Sequence, residues 1–407
     1  MKRSRSFLAD FTFHNVGQGL FYTGKINGFN FVYDCGSENK RHLNFVVDNF
    51  ARNTPTVDLL ILSHLHQDHT AGLDALFNSK TRIGTVVLPY LPPRERLMVA
   101  LSNINVSSWL FDFWANPVAF LINRGVGRVV LIESGGGERP PEYFPSEEEL
   151  ENEDKPPLDL SRMRPNHELR KRIISEEQLE DKVREDNFLV MDHYGYLKAK
   201  AIWFLRFFNS VPQDSNLDLF EKCINEHNII SDNDIINAIS NKSYHKKLKK
   251  CYEKLQGDFN NTSLVVYHAP LMQERYSIIH PLCYEPSNQL HFRFPNKFSI
   301  NLRNIFGHFL TGDIDLNKTL PQLEVHFGNY LSKVALALVP HHGSKDNWDK
   351  TILTKLAHTP SWVTSAGISN KYGHPSPVIL QDISHKGRDL YCNNESIEIS
   401  IKCLLHY

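Results

Sequence analysis

The chain has 407 residues, a formal net charge of −1 and six cysteines. That length suits one large domain with insertions, or two domains. A charge near zero excludes a strongly basic protein that coats nucleic acid by charge alone, while leaving room for a local basic groove. Cys35, Cys223, Cys251, Cys283, Cys392 and Cys403 are scattered with no C-x-x-C pair. No disulfide frame or cysteine zinc site is therefore expected, and a reducing compartment, the cytoplasm, is. The basic start Met1–Ser6 leads into only Phe7-Leu8-Ala9, too short an apolar core for a signal peptide. No run reaches the roughly 18 apolar residues of a membrane span.

Residues 10–35 alternate apolar and polar around an Asn27-Gly28 turn, which predicts a β-meander. Residues 40–52 read as a helix and Val57–Leu62 as a buried strand. A helix from Ala71, a strand at 85–89, helices across 95–123 and a strand at 128–132 follow. Residues 134–185 open with Ser134-Gly135-Gly136-Gly137. They carry the acidic, proline-flanked run Glu147–Pro157 and read as a mostly exposed, flexible excursion. Strands are expected again at 188–191 and 202–207.

Residues 216–256 read as a helical insertion. Its apolar stripes are Leu217, Phe220 and Ile224, then Ile235, Ile236 and Ile239 behind a Ser231/Asp234 capping box, then Tyr244, Leu248, Cys251, Tyr252 and Leu255. The lysines at 246, 247, 249, 250 and 254 suit a solvated helix face or a phosphate-tracking surface. Strands are expected at 263–268, 305–310, 334–339, 362–366 and 397–405, with a helix at 378–384.

The chemistry concentrates in Ser63-His64-Leu65-His66-Gln67-Asp68-His69, on the turn leaving the Val57–Leu62 strand. Imidazole nitrogen and carboxylate oxygen are ligands that zinc, manganese and iron accept. His64 and His66 can clamp one ion, while Asp68 and His69 point to a second.

Further blocks join this one. They are Phe13-His14-Asn15-Val16-Gly17-Gln18-Gly19, Phe31-Val32-Tyr33-Asp34-Cys35-Gly36, Asn260-Asn261-Thr262-Ser263-Leu264-Val265-Val266 and Phe309-Leu310-Thr311-Gly312-Asp313. Val339-Pro340-His341-His342-Gly343-Ser344 and Ser365-Ala366-Gly367-Ile368-Ser369-Asn370-Lys371-Tyr372-Gly373-His374-Pro375 complete the set. Together they resemble the metallo-β-lactamase fold, in particular the nuclease domain of bacterial DNA-uptake competence channels and its free-standing soluble relatives. The matched blocks cover residues 10–90 and 258–405. An acidic residue usual in that branch is replaced by Asn15, and another by Leu20.

The resemblance implies an α/β (α+β) fold, a four-layer αββα sandwich forming a single domain over 1–407 with a helical insertion. It implies two divalent ions, zinc or manganese, held by His64, His66, Asp68, His69, Asp313 and His374, with Asp313 bridging. Asp68 or Asp313 would orient the attacking hydroxide. His341 or His342 would face the phosphate or the leaving oxygen, a role that could be exchanged with that of His374. Only one of the adjacent histidines should face the metals, and His341 is favoured. The first metal lacks an obvious third histidine: His193, His268, His280 and His291 fall in the expected interval but each reads as a surface or satisfied residue. Asn260 is the weak ligand or substrate contact on that side. Ser344, Lys345 and Lys371 could hold neighbouring phosphates, or be surface polar residues.

The expected activity is that of a metal-dependent nuclease or phosphodiesterase on nucleic acid, DNA ahead of RNA, working in solution with no membrane partner. A hydrolase of a lactone, thioester or β-lactam is the alternative, since the same metal site serves those reactions. A non-enzymatic sensor is a third reading, opposed by the complete ligand set. A nuclease loose in the cytoplasm endangers its own cell. Control by a regulatory protein or an activating protease, and a role in antiviral defence, are therefore expected, with the acidic 138–157 segment as a candidate plug.

Overall fold

A computed structural model describes residues 6–102, 104–135, 157–210, 217–253, 263–271, 277–278 and 305–406. Among these, two large sheets lie face to face. The first has ten strands, in the order 277–278, 399–406, 6–13, 21–26, 29–35, 56–61, 82–89, 128–133, 188–195 and 163–165. The second has eight, in the order 389–393, 361–365, 334–338, 307–310, 265–270, 203–208, 197–199 and 158–159.

The hydrophobic pattern explains the layering. The strands from 29–35 through 56–61, 82–89, 128–133 and 188–195 pair in parallel. Parallel strands are covered on both faces, so they read as continuous aliphatic runs such as Val57-Asp58-Leu59-Leu60-Ile61. One core fills the space between the sheets, with Phe11, Tyr22, Tyr33, Trp203, Leu205, Leu310 and Val363. A second packs the outer face of the first sheet under the helices Lys40–Asn53, Pro93–Ser102, Ser108–Ala115 and Pro117–Asn123. A third packs the second sheet under Leu316–Phe327 and Pro377–His385. This is the four-layer αββα arrangement expected from the motifs. No helix among the described residues is long and apolar enough to cross a membrane.

Local signals act as read. Asn27 and Gly28 take positive φ (47° and 80°) in the first hairpin, as a two-residue turn requires. Ser231 and Asp234 form a reciprocal capping box on the helix Asp232–Ser240. That helix and its neighbours Leu217–Asn225 and Lys242–Tyr252 are the helices found within 216–256; Asp232–Ser240 and Lys242–Tyr252 pack against Pro93–Ser102, and Leu217–Asn225 packs on Lys242–Tyr252.

Two expectations need correction. The excursion placed at 134–185 is structured from 157 on: Leu158–Asp159 joins the second sheet, Met163–Pro165 the first, and the helix His167–Glu176 buries Leu169 and Ile173. Its few apolar residues each find a core partner, so a low overall hydrophobicity misleads. The acidic segment 136–156, and Asn260, fall outside the described residues. Secondly, Cys223 and Cys251 form a disulfide with Cα atoms 5.6 Å apart. They are 28 residues apart and lie on the buried faces of two different helices, a relation that linear spacing does not reveal. Cys35 and Cys403 are buried free thiols, and Cys283 lies outside the described residues.

Candidate metal centre

Four segments meet at one end of the two sheets. The histidine loop leaves the strand Thr56–Ile61, and His66 caps the short helix Gln67–Thr70, which carries Asp68 and His69. Asp313 follows the strand Gly307–Leu310; His341 and His342 follow Val334–Leu338; His374 lies beyond Ser361–Ser365. The glycines of the matched blocks permit the close approach. A Cβ on Gly36 would sit 2.3 Å from the His69 nitrogen, so only glycine lets that turn lie against the loop. Gly312 has φ of 56° and delivers Asp313 into the site, where the Asp313 N–H donates to Ser263 Oγ (3.0 Å).

Asp313 is buried, and its two carboxylate oxygens face different neighbours. Oδ1 lies 3.1 Å from His69 Nε2 and 3.8 Å from His342 Nε2. Oδ2 lies 3.6 Å from His64 Nε2 and 3.7 Å from His341 Nε2. Asp68 reaches in from the cleft, 3.2 Å from His342 Nε2 and 3.9 Å from His69 Nε2. Ligand atoms of Asp68, His69, Asp313 and His342 all lie within 4.8 Å of one another.

The other ring nitrogens are already committed. His342 Nδ1 is 2.7 Å from the Ser365 carbonyl, which can only accept, so Nδ1 carries the proton. His69 Nδ1 is 2.7 Å from an Asp34 carboxylate oxygen and His341 Nδ1 2.7 Å from Asn347 Oδ1. His64 Nδ1 contacts Ser63 Oγ (2.9 Å) and Ser263 Oγ (3.3 Å). With Nδ1–H directed outward, each neutral ring turns an Nε2 lone pair toward the Asp313 carboxylate. Among the described residues, His64 Nε2 and His69 Nε2 are buried with no hydrogen-bond partner. Lone pairs facing a carboxylate are repulsive unless a proton or a cation lies between them, and a divalent cation fits this donor set.

The electrostatics follow. Burial and the neighbouring His69 depress the His64 pKa. At His69 burial also works downward, but Asp313, Asp34 and Asp68 overcome it and raise the pKa. His342 is raised in the same way, by Asp313 and Asp68 against burial. Burial would raise both carboxylates, yet the imidazoles around them, with His69 foremost, hold Asp68 and Asp313 below the ordinary range.

The expectation that only one of His341 and His342 turns inward does not hold. Both have positive φ (46° and 55°), and His341 N–H donates to the Gly312 carbonyl (3.1 Å). This left-handed turn, stitched to the Asp313 loop, aims both rings at one carboxylate. His342 is the one in the tight cluster, and His341 sits by Asp313 Oδ2 on the His64 side.

His66 and His374 line the cleft with Gln18, Glu38, Asp68, Asp313, His341, His342 and Tyr372. His374 is outside the tight cluster, its ring 6.0 Å from that of His341 and stacked on Tyr372. Burial, then His342 and His341, push its pKa down to about 4. Ser344 is buried, its Oγ accepting from Asp346 N–H, and Lys345 and Lys371 are exposed; none of the three is among the cleft-lining residues.

Sequence reading missed the residues that hold the ligands: Asp34, Ser63, Ser263 and Asn347. Asp34 stands inside a quoted motif, and its φ of 58° is unusual for a non-glycine residue. Its role is visible only once the strand Phe29–Cys35 is seen to lie beside Thr56–Ile61.

No family model matches this chain, nor does any curated protein sequence. Among solved structures, it is similar to the metallo-beta-lactamase fold protein YhfI from Bacillus subtilis, at 8% identity and a TM-score of 0.39 over 97% of this chain and 100% of that one. It is also similar to a long form RNase Z from yeast, at 9% identity and a TM-score of 0.32 over 96% of this chain and 41% of that one. Neither likeness carries an activity across to this chain; what it can do rests on its own residues.

Proposed function

We propose that this protein is a metal-dependent hydrolase that cleaves phosphodiester bonds in nucleic acid, DNA ahead of RNA. The observation that carries the hydrolase reading is the Asp313 carboxylate, each of whose oxygens faces two imidazole Nε2 atoms. His64, His66 and His341 on one side, and Asp68, His69 and His342 on the other, would hold two divalent ions, zinc or manganese. Imidazole predominates in the set, which favours these over magnesium. Bound there, such ions bring the pKa of water toward neutrality and take up charge on phosphoryl oxygens.

The chain's own groups do the rest. Asp68, with 24% of its side chain exposed, reaches the cleft and can orient a water by accepting a hydrogen bond from it. His374, neutral at physiological pH, offers a substrate oxygen an N–H donor instead of a charge. Nucleic acid as the substrate is supported by the N-x-x-S-L-V, H-H-G-S and Y-G-H-P blocks.

The test is hydrolysis of circular plasmid DNA and single-stranded RNA in manganese or zinc, beside nitrocefin and a lactone panel. Cleavage of nucleic acid that stops with chelator is expected. Turnover of a small substrate with both nucleic acids intact would overturn the substrate class.

A further inference from the structure

A buried donor ties the histidine loop to the outer helical layer. Trp114, fully buried in the helix Ser108–Ala115, donates its indole N–H to the Leu65 carbonyl at 2.8 Å. Leu65 is the residue between His64 and His66. The end of that helix is in turn fixed by Arg96, whose Nη1 donates to the Trp114 and Ala115 carbonyls (3.3 and 2.7 Å). Arg96 Nη2 pairs with Glu177 Oε1 at 2.5 Å, and both side chains are almost wholly buried.

A buried ion pair is a poor source of stability, because desolvation offsets most of the attraction. This one is also incompletely satisfied: among the described residues, Arg96 Nε and Glu177 Oε2 are buried without hydrogen-bond partners. Apolar side chains would fill the space at no greater cost. What the pair provides is direction, since it fixes the last turn of a helix whose Trp114 reaches the histidine loop. A small cavity lined by Leu65, Val118, Leu131, Arg96 and Glu177 separates loop and pair. Leu65 is itself buried in the apolar core beneath these helices, and the indole hydrogen bond fixes the direction of its carbonyl.

We infer that Trp114, Arg96 and Glu177 are positioning residues for the histidine loop, setting the geometry of His64 and His66 from outside the site. The inference rests on the metal-dependent reading above. Trp114→Phe keeps an aromatic ring and removes only the donor. The expected result is an affinity for zinc or manganese lower by about tenfold or more, the loss typical of groups that orient ligands. A fall in kcat with little change in KM for DNA, and faster amide hydrogen exchange over 64–69 in the metal-free protein, are expected with it. Glu177→Gln keeps an acceptor in place and should shift the same quantities less; it also serves if the tryptophan variant does not fold. Unchanged exchange and unchanged metal affinity in both variants would overturn the inference. Faster exchange in the variants of a protein whose wild type binds neither metal would sink the metal-dependent reading and leave the positioning role standing.

Discussion

Two groups of buried and half-buried histidines differ in what they meet. In the cleft, His64, His69, His341 and His342 surround carboxylates. Between the sheets, the hydrogen-bond partners that His268 and His308 meet among the described residues are neutral. Trp203 Nε1–H donates to His268 Nδ1 (3.2 Å), so His268 Nε2 carries the proton and donates to the Tyr22 oxygen (3.0 Å). Tyr22 can then donate to His308 Nδ1 (2.7 Å). This chain is satisfied and uncharged, with Phe11 packed on both imidazoles. Burial pushes the His308 pKa down to about 3 and, helped by His308, depresses that of His268. Burial alone therefore does not mark a site. Imidazole lone pairs converging on an anion do, because only a cation or added protons resolve them.

The largest expected effect removes that anion. Asp313→Asn keeps the shape and the hydrogen-bonding backbone but loses the charge between the imidazoles. Metal uptake should fail, and phosphodiester cleavage should drop by about a thousandfold or more, the scale of losing metal-assisted catalysis. Metal titration and plasmid cleavage would both report it. Retained metal binding in this variant would remove the distinction between the two histidine groups.

Acid should act on the core group next. The folded pKa of His308 lies below its unfolded value near 6.5. Its neutral form therefore contributes stability that is present above about pH 6.5 and is lost as pH falls toward 3. At about 1.4 kcal/mol per pKa unit the loss can reach roughly 4 kcal/mol. His308→Gln keeps an acceptor for the Tyr22 hydroxyl and cannot titrate, so its denaturant midpoint should fall less steeply between pH 6.5 and 4. Parallel curves for the two proteins would mean that the core pair takes up protons without strain.

The same contrast explains what the sequence made legible. Strands and helices on the parallel side were visible because their aliphatic runs are unbroken. His64, His66, Asp68 and His69 stood out because one turn brings them together. The helix Leu316–Phe327 went unread although Leu316, Leu320, Leu323 and Phe327 form a stripe, since Pro321 stands inside it. The inward turn of both His341 and His342 was hidden because it depends on backbone torsions that ordinary residues seldom adopt. Trp114 had no signal at all, for its target is a backbone carbonyl brought near only by tertiary packing.

Glu95 lies between the two cases and gives the smallest effect. It has cations as chain neighbours, yet Arg94 is paired with Glu221 (2.8 Å) and Arg96 with Glu177. Glu95 Oε2 is buried without a hydrogen-bond partner among the described residues. Burial therefore outweighs the pull of Arg94 and Arg96, and the pKa rises to about 7. For a carboxyl raised above its unfolded value near 4.5, the stabilising contribution is complete below that value and is lost as pH rises through about 7. Glu95→Gln should then match wild type near pH 5 and exceed it at pH 8 by about 2 kcal/mol. Calorimetric melting at the two pH values would show it. A difference that does not change between pH 5 and 8 would mean that the flanking arginines do compensate the charge, and that proximity to cations, even committed ones, is enough to keep a buried carboxylate ionised.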